Sequence, residues 1–248
     1  MYDISSHRIH LSETESTNLY ARAVDSTADI SIISTDYQTA GRGQRGNTWE
    51  AAAGKNLLFS FVIKPDSIPA SQQFVLCELI SIALCDVLSR YTSDIRIKWP
   101  NDIYHGNNKL CGILIEHDLE GMHLSQTIIG VGLNVNQTLF TSHAPNPISL
   151  AQILGHEVER ETLLQEITFH FIELYAQYTS STPSLSRSAL HERYTSLLYR
   201  QGIEAMYHDT HGAFAATLRT VEPDGRLILE DQQGTLRSYL FKEVTYEL

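Results

Sequence analysis

The stretch Gly41-Arg42-Gly43-Gln44-Arg45-Gly46-Asn47-Thr48-Trp49 places three glycines and two arginines close together. Glycine lets the backbone adopt positive φ and approach a ligand closely. Arginine presents a planar set of donors that matches the oxygens of a carboxylate or a phosphate. The preceding segment, Asp29–Thr35, is rich in β-branched residues and predicts a strand. The stretch is therefore expected to leave a sheet edge as a loop and to close over an anion.

Two known nucleotide-binding motifs are matched in part by this stretch and by the residues that follow it. Its three glycines match the dinucleotide motif G-x-G-x-x-G, but that motif must open a helix, and Asn47–Glu50 followed by an Ala-Gly run is not a helix start. The phosphate-binding motif G-x-x-x-x-G-K-[ST] is approached at Gly54-Lys55, where Trp49 and Asn56 replace a glycine and a hydroxyl residue. A dinucleotide-dependent oxidoreductase and a simple tight turn stay open as alternatives at this point.

Length and composition indicate a globular protein. A chain of 248 residues suits one large domain, or one domain with a smaller one attached. Hydrophobic residues make up 42% and charged residues 19% of the chain, as in ordinary soluble proteins. No apolar run reaches the ~18 residues that a membrane span needs, and residues 1–5 do not resemble a secretory signal. We therefore expect a cytoplasmic protein without a membrane partner.

The cysteines argue against a structural metal site. Cys77, Cys85 and Cys111 lie in apolar segments and are expected to be free, buried thiols. There is no Cys-x-x-Cys pair, so a structural zinc site is not expected.

The positive charge is concentrated in two segments. The formal net charge of −11, from 29 acidic and 18 basic residues, argues against general nucleic-acid binding. Residues 41–55 and 96–109 nevertheless hold six basic residues against two acidic ones: Arg42, Arg45, Lys55, Arg96, Lys98 and Lys109 against Glu50 and Asp102. Two basic segments in an acidic chain predict a specific anionic ligand, with chance clustering as the alternative.

The hydrophobic pattern predicts an α+β fold. Strands are expected at 7–13, 29–35, 56–63, 94–99, 110–117 and 126–136, and helices at 19–24, 71–91, 160–178 and 186–199. Ser16, Thr17 and Asn18 are expected to cap the first helix. The segment 137–149 has the composition of an active-site cover. From Ile203 onwards, short strands and strong turn signals predict a small all-β module.

Five motifs together resemble those of the biotin protein ligases in order, spacing and residue type, from about residue 13 to the C-terminus. They are Glu15-Ser16-Thr17-Asn18, the glycine–arginine stretch, Lys98-Trp99-Pro100-Asn101-Asp102, Lys109-Leu110-Cys111-Gly112-Ile113-Leu114 and Gly130-Val131-Gly132-Leu133-Asn134. The resemblance implies a mixed β-sheet packed with helices, the class II synthetase-like biotin–lipoate ligase fold, in residues 1–195. It implies a small SH3-like β-barrel in residues 196–248.

The resemblance also implies a two-step reaction. Biotin and ATP, with Mg²⁺, would form biotinyl-5′-AMP and pyrophosphate, and the acyl group would then pass to a lysine of the biotin carboxyl carrier protein of a carboxylase. Because a carboxylate must attack a phosphate, cations have to offset the repulsion between two anions and hold them in line.

By resemblance, Lys109 and Arg42 are the catalytic cations, and the family's ligand positions map onto further residues of this chain. The biotin-binding set is Ser16, Thr17, Gln38, Gly41, Arg42, Lys109, Gly112, Leu114, Gly130 and Gly132. The ATP- or adenylate-binding set is Asn18, Arg42, Arg45, Trp49, Lys98, Asn101, Lys109 and Asn134. For Trp49, stacking on adenine and anchoring the loop in the core are both open. No metal ligand is indicated.

The chain departs from the family pattern in two respects. Gln44 and Asn47 stand where many members carry arginine, which predicts weaker retention of the adenylate. The sequence starts almost at the first predicted strand, so an N-terminal helix-turn-helix domain, a repressor role and DNA binding are not expected. A sheet edge could pair two copies in a homodimer. The alternatives to a biotin ligase are a lipoate–protein ligase and a non-catalytic module that binds biotin or the carrier.

Overall fold

The computed structural model describes residues 4–24, 28–141, 146–180 and 182–247. The strands are β1 Ser6–Leu11, β2 Ile30–Thr35, β3 Leu57–Ile63, β4 Ile95–Lys98, β5 Asp102–His105, β6 Asn108–Glu120, β7 His123–Leu133, β8 Glu204–Asp209, β9 Gly212–Val221, β10 Leu227–Asp231, β11 Leu236–Tyr239 and β12 Thr245–Tyr246. The helices are α1 Thr17–Arg22, α2 Phe74–Leu88, α3 Leu150–Leu154, α4 Arg160–Thr179 and α5 Arg187–Ser196, with short 3₁₀ turns at Gln44–Gly46 and Ala70–Gln72.

The first seven strands form one mixed sheet in the order β1-β2-β3-β7-β6-β5-β4. Only β1 and β2 run parallel; the other neighbours are antiparallel. The expected α+β class with a mixed sheet is confirmed. The expectation that the glycine–arginine stretch leaves a sheet edge was wrong, because β1 pairs along the outer side of β2.

One face of this sheet is closed by three helices. Nearly every residue of α2 is buried, and α2 lies against both α4 and α5. The rings of Phe61 in β3 and Phe171 in α4 stack with centroids 4.4 Å apart. Residues Ala70–Leu88 are long and apolar enough to cross a membrane by composition, which the sequence reading did not anticipate. Most of that segment is buried inside the protein, as expected of a core helix.

The other face is covered only in part. Helix α1 packs on β2, β3 and β7 through a small apolar cluster that includes Ala21, Ile33, Val62 and Ile128. Helix α1 has only six residues, and its Asn18 meets β6 at Glu116 and β7 at Gly130. The part of those two strands that holds Gly112 and Gly132 is not covered by α1 and can form the floor of a site.

The remaining strands form a second, antiparallel sheet in the order β11-β10-β9-β8-β12. It meets the first sheet at Trp99, whose indole N–H donates to the carbonyl oxygen of Gly225 at 2.8 Å. The ring of Phe241 packs edge-on against the same indole, with centroids 6.2 Å apart. Two turns of the C-terminal sheet thus hold the end of β4 in place.

Two short elements differ from expectation. Strand β5 begins at Asp102, between the expected strands 94–99 and 110–117, where no strand was expected; β4 and β5 form a tight hairpin around residues 99–101. Helix α3 lies directly after the expected loop and starts with a capping box between Ser149 and Gln152. Of that loop, residues 142–145 lie outside the described part of the chain.

The cysteines behave as expected. Cys77, Cys85 and Cys111 are all free and buried. Burial raises the pKa of the Cys77 thiol to about 12 and raises those of Cys85 and Cys111 further. These thiols are therefore protonated and unreactive at neutral pH.

A buried carboxylate ties α2 to α5. The Glu78 side chain is fully buried and pairs with Arg187 and with His191, whose Nδ1 lies 2.6 Å from Oε1. Arg187 also donates to the Pro223 carbonyl oxygen at 3.2 Å, which extends the network to the C-terminal sheet. A buried charge network of this kind depends on every partner being present.

Replacing Glu78 by alanine is expected to lower the free energy of unfolding by about 3 kcal/mol, because Arg187 loses its buried counter-charge and His191 loses the partner of its Nδ1. Urea denaturation followed by circular dichroism measures this. The matched control is Glu192→Ala on the exposed side of α5, expected to change stability by less than about 0.5 kcal/mol. Equal effects of the two substitutions would contradict the role assigned to Glu78.

Candidate functional site

A cavity of about 390 Å³ lies over the floor formed by β6 and β7. Its walls come from the start of α1, the glycine–arginine stretch, the turn at 98–102 and the turn at 241–246 of the C-terminal sheet. Thirteen of the residues singled out from the sequence line it: Ser16, Thr17, Asn18, Gln38, Arg42, Trp49, Lys98, Asn101, Lys109, Gly112, Leu114, Gly130 and Gly132. Residues from five separate motifs thus converge on one site.

The glycine–arginine stretch forms a narrow hairpin. Arg42 and Thr48 form a bridge, and the Trp49 N–H donates to the Gly41 carbonyl oxygen at 3.0 Å. The turn at Gln44–Gly46 closes it with Gly46 at φ +87°, a conformation that favours glycine. Gly41 does not line the cavity; a Cβ there would lie 2.5 Å from the Trp49 carbonyl oxygen. The close packing of the two hairpin strands therefore requires glycine at position 41.

Trp49 rests directly on the cavity floor. A Cβ at Gly132 would lie 2.5 Å from its Cε2 atom, and one at Gly112 would lie 2.8 Å from its Cζ3 atom. Its indole N–H is buried and has no hydrogen-bond partner among the described residues. The two floor glycines thus make room for an aromatic ring, and the indole can offer one donor to a ligand.

The start of α1 forms the uncharged polar end of the cavity. The Thr17 N–H and Oγ1 both donate to Gln38 Oε1, at 2.8 and 3.2 Å. Ser60 Oγ lies 2.7 Å from both Thr17 Oγ1 and Asn18 Oδ1. Ser16 occupies the N-cap position, but its side chain makes no capping hydrogen bond. The expected side-chain cap was therefore wrong; Gln38 supplies the acceptor, and the Ser16 hydroxyl is not used by the helix.

Asn18 is held from three sides. Its Nδ2 donates to Glu116 Oε2 at 2.8 Å and to the Leu114 carbonyl oxygen at 3.2 Å, and its Oδ1 contacts Ser60. A Cβ at Gly130 would collide with this amide, lying 2.9 Å from Asn18 Cγ. The asparagine therefore requires a glycine opposite it on β7, and its amide is already fully used within the protein.

Glu116 is a part of the site that the sequence reading missed. Its carboxylate lies 3.2 Å from Arg22 Nη2 and 3.3 Å from Arg42 Nη2. Burial raises its pKa, but the hydrogen bonds from Asn18 and Arg22 and the charge of Arg42 outweigh burial, so the pKa lies below the usual value. The two-residue period of β6 (Gly112, Leu114, Glu116) was the signal that could have revealed it.

The cations differ in their surroundings. Lys109 Nζ lies 2.7 Å from Asp102 Oδ1 and 5.6 Å from the centre of the Trp49 ring. Lys98 Nζ lies 4.8 Å from the Tyr246 ring centre. Burial lowers the pKa of Lys98; Asp102 raises it, while Lys109 and Arg200 lower it. Asp102 is the negative charge that faces both lysines. The sequence motif alone did not assign it this role.

Three further predicted residues differ in where they lie relative to the cavity. Asn101 lines the cavity, but its Nδ2 donates to the Ile113 carbonyl oxygen at 2.6 Å. Asn134 is buried outside the lining; its Nδ2 donates to Ile148 O at 3.1 Å, and its Oδ1 has no partner among the described residues. Arg45 belongs to the turn Gln44–Gly46, and its side chain lies outside the described part of the structure.

The described end of the loop 137–149 is fixed to the site. The Lys109 N–H donates to the Asn146 carbonyl oxygen at 2.8 Å, and the Ile148 N–H donates back to the Lys109 carbonyl oxygen at 3.0 Å. This short pairing sets the backbone of Lys109 from its outer side. The expected role of residues 137–149 as a cover stays a prediction, because residues 142–145 lie outside the described part of the chain.

Comparison with known proteins places this site in context. Residues 10–134 match the family model described as the biotin/lipoate A/B protein ligase family. The chain is 29% identical to a bifunctional ligase/repressor BirA of Bacillus spizizenii over 92% of its own length and 70% of that protein. It is 28% identical to a biotin–[acetyl-CoA-carboxylase] ligase of Paracoccus denitrificans over 90% of its own length and 94% of that protein.

A solved structure shares the fold. The biotin protein ligase of Aquifex aeolicus in complex with biotin and ATP superimposes with a TM-score of 0.79 at 22% identity, covering 97% of this chain and 98% of that one. At that level of identity the likeness concerns the fold.

Proposed function

Because the chain belongs to the biotin/lipoate A/B protein ligase family, we propose that it is an ATP-dependent biotin–protein ligase. One observation carries this proposal: the cavity has a polar, uncharged end at Ser16, Thr17 and Gln38 and a cationic part at Arg42, Lys98 and Lys109. Biotin combines an uncharged ureido ring with a carboxylate, so its two ends match the two parts of this cavity. The named relatives support the same function.

The proposed first step joins two anions. A carboxylate oxygen of biotin attacks the α-phosphorus of ATP, the bond from that phosphorus to the bridging oxygen breaks, and pyrophosphate leaves with the electron pair. Arg42 and Lys109 would hold the carboxylate and the α-phosphate together and offset their repulsion. Arg42 is suited to this because its contacts with Glu116, at 3.3 and 3.5 Å, are long and therefore weak. The guanidinium group can give them up to bind the oxygens of a ligand.

The proposed second step consumes the adenylate. A lysine amine of a carrier protein attacks the acyl carbon, an amide forms, and AMP leaves. The carrier domain of a biotin-dependent carboxylase fits this step as the acceptor. In the same proposal, residues 1–195 form the catalytic domain, residues 196–248 form an SH3-like domain, and the outer edge of β1 is the surface by which two copies could pair.

Mg²⁺ would accompany ATP. Among the described residues no cluster of three or more His, Cys, Asp or Glu could hold a metal by itself. Mg²⁺ usually binds substrate phosphates with only one or two carboxylates and keeps several waters, and Asp102 is the carboxylate among the described lining residues. The residues present therefore fit a magnesium ion that arrives with the nucleotide and neutralises phosphate charge.

The experiment that tests this function is ATP–pyrophosphate exchange with Mg²⁺ and biotin, lipoate or no acid. Exchange with biotin alone supports the proposal. Exchange with lipoate would instead make the protein a lipoate ligase of the same family. Exchange with neither acid would refute a ligase function, and a binding module would then be the better account of the cavity.

Replacing Gln44 by arginine is expected to slow dissociation of the adenylate about tenfold. Gln44 lines the cavity, and its Oε1 is buried without a partner among the described residues. An arginine there would add a charge-assisted hydrogen bond to the adenylate phosphate. Release of labelled biotinyl-adenylate into a chase of unlabelled ligand measures the rate. Gln233→Arg, on an exposed turn of the C-terminal sheet, is the control, and no slowing in Gln44→Arg would contradict the hypothesis.

A further inference from the structure

The turn between β11 and β12 holds a lysine in an unfavourable backbone conformation. The Glu243 N–H donates to the Leu240 carbonyl oxygen at 3.1 Å, and the Leu240 N–H donates to Glu243 Oε2 at 2.7 Å. Lys242 is the third residue of this turn and has φ +73°. Turns of this shape favour glycine at that position, and a larger residue costs conformational energy. A lysine at such a position is a candidate for a functional role that offsets this conformational cost.

This turn is part of the wall of the main cavity. Phe241 packs against Trp99, the first residue of the turn at 99–101, and Val244 is buried. Lys242 itself lines the cavity and is exposed. The C-terminal sheet thus brings a cation to the rim of a site whose floor belongs to the first sheet.

The three lysines of the cavity differ in how their charge is compensated. Lys109 is paired with Asp102 at 2.7 Å, and Lys98 is largely buried and faces the rings of Tyr104 and Tyr246. Within the described residues, Lys242 takes part in no ion pair with a carboxylate. Its ammonium group is therefore available to an anionic ligand at the mouth of the cavity.

We propose that Lys242 binds the β- and γ-phosphates of ATP and the pyrophosphate that leaves. This assignment rests on the proposed ATP-dependent ligase function. If the α-phosphate lies at Arg42 and Lys109 near the floor, the other two phosphates extend towards the open rim. A lysine at the rim offsets their negative charge and favours the departure of pyrophosphate.

The assignment separates the two steps of the reaction. Pyrophosphate forms in the first step and is absent from the second. Loss of Lys242 should therefore weaken the use of ATP and pyrophosphate, while transfer from preformed biotinyl-adenylate to an acceptor lysine and the affinity for biotin stay unchanged. A purely structural role of the turn would alter all of these together.

The test is the equilibrium binding of inorganic pyrophosphate and of AMP, each with Mg²⁺, to the full chain by calorimetry. Lys242→Gln is expected to weaken pyrophosphate binding about tenfold, the size of one charge-assisted contact, and to leave AMP binding unchanged. Lys242→Arg should retain binding. Lys242→Gly relieves the positive φ, so it should unfold at a higher temperature than the parent and yet bind pyrophosphate as weakly as Lys242→Gln.

Two controls match these variants. Lys64→Gln removes an exposed lysine far from the cavity, and Asp94→Gly relieves another positive φ, of 59°; neither should change pyrophosphate binding. Equal pyrophosphate affinity of the parent and Lys242→Gln, or no binding by the parent, overturns the assignment. Lys242-dependent pyrophosphate binding without any biotin-dependent exchange would overturn the ligase function and leave the assignment of a polyphosphate-binding lysine standing.

Discussion

Replacing Lys109 by glutamine is expected to lower the rate of biotin-dependent ATP–pyrophosphate exchange by about 10²–10³-fold, as for other preorganised charge-stabilising groups. Lys109 Nζ is set against Asp102 and over the Trp49 ring on the cavity floor. Two unit charges ~4 Å apart repel by ~4 kcal/mol at an effective dielectric constant near 20. If Lys109 is a catalytic cation, its loss leaves Arg42 alone to offset the repulsion between the biotin carboxylate and the α-phosphate, and the reaction slows.

The control for this substitution is Lys64→Gln, which removes an exposed lysine after β3 and should leave exchange unchanged. A second measurement, the urea unfolding of Lys109→Gln, shows whether the fold is retained when the ion pair with Asp102 is removed. A folded Lys109→Gln protein with exchange within threefold of the parent would show that Lys109 is not a catalytic cation.

Replacing Gly130 by alanine is expected to weaken biotin binding about 100-fold, which corresponds to the upper range of overpacking costs. The added methyl group collides with the Asn18 side chain, which is buried and held by Ser60, Leu114 and Glu116. Because hydrogen bonds to Ser60, Leu114 and Glu116 hold the amide in place, we expect the start of α1 to shift, and Thr17 to shift with it. Titration of the protein with biotin by calorimetry measures the effect.

A double-mutant cycle provides the control. In an Asn18→Ala background the atoms that collide with the new methyl group are gone, so Gly130→Ala should then cost less than about threefold in biotin affinity. Residues in direct contact show such coupling, whereas independent sites add. Additive effects of the two substitutions would mean that Gly130 is required for another reason than the contact with Asn18.

Local patterns in the sequence predicted the larger elements well. The β-branched residues of β2 favour an extended strand, and the apolar segment of α2 is too long for a strand. The sequence therefore predicted both elements correctly. Strand β5 was missed because it has only four residues and starts directly after the turn-forming Pro100 and Asn101, and its pairing with β4 and β6 is visible only in the structure. The position of β1 outside β2 is likewise a matter of long-range pairing.

The candidate site was predictable to the extent that its residues fall into motifs. Arg42, Lys98 and Lys109 line one cavity, as their charge pattern and the family resemblance indicated. Glu116 and Lys242 were missed because neither belongs to a motif. Their importance arises from contacts between distant segments: Glu116 meets Arg42 across 74 positions of sequence. Lys242 lies at the cavity in a turn whose neighbouring residue Phe241 packs on Trp99, 142 positions earlier in the sequence.

The hydrogen bond from Trp99 to Gly225 has a consequence for the newly made chain. The two residues are 126 positions apart, and a ribosome that adds ~5–20 residues per second needs roughly 6–25 s to cover that distance. During this interval the indole is bare and one wall of the cavity is absent. We therefore expect nascent chains to expose an apolar patch at Trp99 that chaperones can engage, and to acquire a closed nucleotide site only after translation has passed the second sheet.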